Sequence, residues 1–208
     1  MPGRLQQQLR QRRLDGKLPE LISGAFMRYL GFAAALLLSS VGAPAQEPET
    51  TAVPENYRQW VFLTSSLDLD YNTAAPRSEH MLDNVFVDPK AFAAFQKTGA
   101  WPMGTMLIKE NRMAESAGTL SKAGQFQVGV KNLEIHIKDG ARFPGKWSFF
   151  VSPDGKAPAA LRPLSANCYS CHQDHGAVDT TFVQFYPTLM PVAKEKGTVS
   201  SSYLKDVN

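Results

Sequence analysis

Apolar and polar residues alternate with a period of two over five stretches of the chain, the pattern of strands with one buried face. The stretches are "RQWVFLTS" (58–65), "MLDNVFV" (81–87), "GTMLIKEN" (104–111), "QFQVGVKNLEIHIKD" (125–139) and "KWSFFVS" (146–152). In the third, Thr105, Leu107 and Lys109 share one face, while Met106 and Ile108 share the other. In the fourth, His136 lies between Ile135 and Ile137 and reads as an exposed strand histidine. The links are mostly short, so antiparallel pairing is expected. One link changes period. In "VDPKAFAAFQKTG", Ala91, Phe92 and Phe95 form an apolar helical stripe, Asp88 suits an N-cap, Pro89 the first helical position and Gly99 the stop. A second helix is predicted in or after "CYSCHQDHG", and a third over "TTFVQFY" up to Pro187. The expected class is α+β: an antiparallel β-sheet packed with helices, with a helical C-terminal third.

Ahead of the first predicted strand the composition changes twice. Residues 1–26 are basic and glutamine-rich. Then "MRYLGFAAALLLSSVGAPAQEPE" supplies a charged Arg28, an apolar run from Leu30 to Val41, and the small-x-small pattern Ala43-Pro44-Ala45. That is the layout of a secretory signal. Residues 1–45 therefore read as an N-terminal extension plus signal peptide cleaved near Ala45, and a periplasmic location is expected. Met27 stands where such a signal would start, so it is a second candidate translation start beside Met1. The apolar run is shorter than the about 20 residues that span a bilayer, so no stable membrane span is expected after cleavage. The Pro/Glu/Thr-rich stretch over 46–56 reads as a flexible lead-in, and 57–208 as one domain.

Removing the leader changes the charge. It carries six of the 22 Lys/Arg and two of the 19 Asp/Glu, leaving 16 basic and 17 acidic residues, a net charge of −1. No nucleic-acid surface is expected, since that needs clustered Lys/Arg.

The only two cysteines stand in "NCYSCHQDH", as Cys168 and Cys171, with His172 directly after them. A disulfide is permitted in an exported protein, but closing so short a loop removes little chain entropy. A redox dithiol belongs after a strand at a helix start, whereas here the loop "SPDGKAPAALRPLSAN" leads in. Zinc needs two further ligands, and His80, His136 and His175 offer no standard four-ligand pattern. Cys-x-x-Cys-His is the attachment signature of c-type haem: two thiols one helical turn apart meet two vinyl groups, and the histidine is the proximal iron ligand. The motif and the export signal together favour one covalently attached haem c on Cys168, Cys171 and His172, with the dithiol as the next reading. The second axial position stays open among several readings. Met81, Met103, Met106, Met113 and Met190 are all available and none stands out; a six-coordinate electron carrier would use one of them.

The elements "NYRQWVFL", "VFVDPKAF", "KTGAWPMGTMLIKE", "KWSFFV", "CYSCH" and "FVQFYPTL" occur in the order seen in the cytochrome P-460 family, which includes cytochrome c′-beta. The chain resembles that family over about 56–189. The resemblance implies a mainly β-sheet subunit, commonly a homodimer, with a five-coordinate haem and an open distal face. It implies either oxidation of hydroxylamine to nitrous or nitric oxide, with electrons passing to a partner cytochrome, or binding of nitric oxide and carbon monoxide without turnover. Catalytic members join a lysine to the porphyrin rim, and the matching position here is Lys109. On its own chemistry Lys109 also reads as a solvated strand-end lysine beside Glu110. Hydroxylamine-oxidising members carry a distal carboxylate shortly before the haem motif. Here the segment 155–167 holds no Asp or Glu, which favours slow turnover or gas binding unless Glu110, Glu134 or Asp83 substitutes in space.

Overall fold

The computed structural model describes residues 49–69, 79–116 and 123–207, all within the unit Ala45–Asn208. The extension, the signal peptide and both candidate starts lie outside them. Within the stretch expected as a flexible lead-in, Thr50–Thr51 forms a short strand, β1. The strands that follow are β2 (Val61–Leu67), β3 (His80–Val87), β4 (Met106–Glu115), β5 (Phe126–Lys138), β6 (Trp147–Ser152) and β7 (Ala159–Leu161). They make one seven-stranded antiparallel sheet in the order β1-β7-β6-β5-β4-β3-β2. From β2 to β7 the order simply reverses the sequence, as a meander with short links does. Of the stretch 58–65, Arg58 and Gln59 belong to the 3-10 turn Tyr57–Gln59, and the strand begins only at Val61.

The helix α1 (Pro89–Thr98) joins β3 to β4. Asp88 Oδ1 accepts from the Ala91 amide at 2.8 Å, Pro89 opens the helix, and Gly99 ends it at φ 72°. Gly99 is fixed by space as well as by φ. A Cβ there would fall 2.7 Å from Lys196 Cβ and 2.8 Å from Thr198 Oγ1, so α1 could not approach the C-terminal segment.

That segment holds α2 (Asn167–His175), α3 (Met190–Lys196) and α4 (Ser201–Asp206). The helix expected over 180–187 is absent: only Val183–Phe185 makes a single 3-10 turn. Asp179 and Thr180 sit at positive φ, β-branched residues crowd the stretch, and Pro187 holds Tyr186 extended at ψ 92°. Each of these opposes helix propagation.

Both sheet faces are covered. On one, Leu63, Val85, Leu107, Trp147 and Phe149 pack with α1 through Phe95 and with Tyr169, Val183, Tyr186 and Leu189 of the C-terminal third. On the other, Tyr57 packs against Ile108, Leu133, Ile135 and Phe150. Among the described residues no helix is long and apolar enough to cross a membrane.

Candidate functional site

Strand register places one set of side chains on the first of these faces. Leu107 is paired with His136, Lys109 with Glu134 and with Val85, Ser66 with Asp83, and His136 with Phe149. Alternation then carries all of them to the side facing α2. His136 is thus not an exposed strand histidine. Its side chain is only 13% exposed and packs edge-on against Phe149 and His172, with centroids 4.6 and 5.0 Å apart. The expectation of exposure failed because both faces of this sheet are buried, so alternation does not separate inside from outside.

Two cavities meet here. One is lined by Asp83, Val85, Leu107 and Lys109 from the sheet and by Phe182, Phe185 and Tyr186 from the C-terminal third. The other is lined by Cys168, Cys171, Asn167, Arg162 and Phe149. Glu134, His136, His172 and Phe182 line both. The fold therefore brings Lys109, about sixty residues earlier in sequence, into one continuous groove with the two cysteines and His172.

The two cysteines lie one turn apart on α2 and are unpaired. Burial, with the charges of Asp174 and Cys168, pushes the Cys171 thiol up. That is the opposite of the activated thiolate a dithiol oxidoreductase needs. His172 Nδ1 donates to the Thr180 carbonyl at 2.8 Å. This fixes the tautomer and leaves the Nε2 lone pair for a metal. Burial and the neighbouring His136 push the His172 imidazole down to about 3, so protons do not compete for that lone pair in ordinary buffers. Among the described residues no group of three or more His, Cys, Asp and Glu is arranged to hold a bare metal ion. Two thiols, one neutral imidazole and an aromatic-lined groove fit the donor set and walls of a covalently attached haem.

The carboxylates divide by face. Glu110 is buried on the opposite side, where its carboxylate accepts from Tyr57 and Arg112 and pairs with Arg58 at 2.7 Å. It does not reach the groove. Asp83 and Glu134 do, flanking Lys109 Nζ at 3.7 and 3.4 Å. Glu134 also accepts from Asn111 Nδ2 at 3.0 Å and stands near His136. Burial pushes its carboxyl up, but His136, Lys109 and Asn111 outweigh this and hold it well below the usual carboxylate range. Asp83, with its side chain 2% exposed, is shifted the other way: burial prevails over Lys109 and raises it. Its Oδ1 has no hydrogen-bond partner among the described residues.

The other histidines lie apart. His80 Nδ1 pairs with Asp68 at 2.5 Å, and His175 Nδ1 with Asp206 at 2.7 Å. Sequence reasoning missed Thr180 as the partner of His172, because a backbone carbonyl leaves no mark in the sequence.

Residues 54–183 match the family model described as Cytochrome P460. A search among curated proteins gives no match to the chain.

Proposed function

The chain belongs to the cytochrome P460 family, which implies a haem cofactor, and on that premise we propose an exported monohaem c-type cytochrome that binds hydroxylamine and oxidises it. Cys168 and Cys171 hold the haem by thioether bonds, His172 is its proximal ligand, and Lys109 is the candidate cross-link to the porphyrin rim. Such a haem would supply a redox-active iron for the substrate, with a partner cytochrome as the electron acceptor. The residues around it bind the substrate, exclude water and take up protons.

One observation carries this reading: the buried Oδ1 of Asp83, without a hydrogen-bond partner among the described residues, in the same groove as Lys109 and His172. Oxidising a ligand that bears N–H and O–H bonds releases protons, and a base must stand within reach. A carboxylate raised by burial is a stronger base than one in water. Asp83 thus supplies, from β3, the function for which the segment before the haem motif has no carboxylate. Glu134, bound on several sides, holds Lys109 in place.

A second reading draws on the apolar part of the same lining. Phe182, Phe185 and Leu107 form an apolar surface suited to nitric oxide or carbon monoxide. Anaerobic hydroxylamine with an artificial electron acceptor separates the two. Wild type reduces the acceptor, and Asp83→Asn lowers the rate by about 10²–10⁴-fold while still binding nitric oxide. Failure of wild type to reduce the acceptor removes the enzyme and leaves gas binding. The ferrous spectrum tests Lys109: a red-shifted Soret band that returns to an ordinary c-type position in Lys109→Ala supports the cross-link. Export, tested by a mature N-terminus near Gln46, and a homodimer, tested by sedimentation, belong to the same proposal.

A further inference from the structure

Asp179 and Thr180 both adopt left-handed backbone conformations, at φ 49° and φ 57°. Non-glycine residues rarely do so, β-branched ones least, and such a turn persists only where its surroundings fix it. Lys138 Nζ, buried at the end of β5, donates to Asp179 Oδ2 at 3.0 Å and to the Trp101 carbonyl at 2.6 Å. The Trp101 amide donates to the same Asp179 oxygen at 3.0 Å. Trp101 Nε1 donates to Thr181 Oγ1 at 2.9 Å, and that hydroxyl donates to the Val178 carbonyl at 2.7 Å. Val178 and Thr181 close the turn as an antiparallel bridge. From the other side Gly176 allows the close approach, since a Cβ there would lie 2.5 Å from the Thr180 carbonyl carbon and 2.6 Å from the His172 oxygen.

All of this holds one atom in place. The Thr180 carbonyl oxygen, at the apex of the strained turn, is the acceptor for His172 Nδ1–H. A lysine as deep as Lys138 persists only when paired, and its pair is Asp179, the first of the two left-handed residues in the turn.

We propose that Lys138 and Asp179 are positioning residues for the proximal histidine. Their ion pair holds the 178–181 turn so that the Thr180 carbonyl keeps a strong hydrogen bond to His172, and this sets how strongly Nε2 donates to the haem iron. The proposal rests on the reading of His172 as that ligand. A strong bond at Nδ1 makes the imidazole more basic, favours ferric iron and lowers the reduction potential. Loosening the turn has the reverse effect.

The test uses the haem-loaded protein with Asp179→Asn and, separately, Lys138→Met. It reads the midpoint potential by spectroelectrochemical titration and the iron–histidine stretch by resonance Raman. Positioning predicts that both variants shift the potential upward and the stretch to lower frequency. A simple charge effect predicts opposite shifts, because one variant removes a negative charge and the other a positive one; that result overturns the proposal. So does an unmoved stretch in both variants with unchanged thermal melting. If Lys138→Met does not accumulate, the stretch in Asp179→Asn decides, and its failure to move overturns the proposal. A wild-type spectrum with no iron–histidine band ends the reading of His172 as ligand and this proposal with it, whereas a band that is present but unmoved ends only the clamp.

Discussion

Asp83 and Glu134 carry the same functional group into one groove, and their surroundings push them in opposite directions. For Asp83 the pH consequence has a definite sign. Its folded carboxyl keeps a proton to higher pH than the unfolded one, at about 3.9. Above that value the native state binds more protons than the unfolded state, so stability contributed by the protonated group is lost as pH rises through the raised pKa. The neutral Asp83→Asn is therefore expected to melt above wild type near pH 7, with the difference vanishing at acid pH; thermal melts across that range check it. The same shift places the acid limb of kcat/KM above the ordinary Asp value, and a limb at about 3.9 would remove Asp83 as the base. At this scale the sequence was partly legible. Cys168, Cys171 and His172 were proposed from their spacing and Lys109 from parity with Leu107 and from resemblance, and the fold gathers these four around the same cavities. His136 and Thr180 were not legible, one because both sheet faces are buried, the other because its contribution is backbone.

At the scale of elements, period-two alternation located β2 to β6 within a few residues, and cap chemistry located α1. Asp88 does more than cap. Its Oδ2 also accepts from the Met106 amide at 3.3 Å, tying the start of α1 to the start of β4. Asp88→Ala is expected to cost about 1–2 kcal/mol, seen as a lower urea midpoint with an unchanged slope. The predicted helix over 180–187 was the clear failure. Its aromatic spacing looks helical, but the left-handed Asp179 and Thr180, held by Trp101 and Lys138, break any helix there. Those tertiary contacts come from residues about 40 to 80 positions earlier, so no local window of sequence contains the cause.

For the whole molecule, the groove lies at the seam between a sheet completed by Leu161 and a C-terminal third that packs on it through the same apolar cluster. A haem held there would bridge the two parts. Removing its attachment by Cys168→Ser/Cys171→Ser is expected to lower the melting temperature by roughly 10 °C, equivalent to about 4 kcal/mol for a domain of this size, with the far-UV strand signal of the sheet retained below the transition. A differential scan on holo and variant protein checks this.

The order of these parts along the chain also bears on biogenesis. Every strand precedes Asn167, so a chain emerging N-terminus first exposes all the segments that form one wall of the groove before either thiol appears. If a haem is attached to these thiols as proposed, folding and loading have a built-in order in time. On the proposed reading, a delay in loading would leave the Leu107–Phe149 surface uncovered until the segment from Asn167 onward packs on it, a window in which proteolysis would compete with maturation.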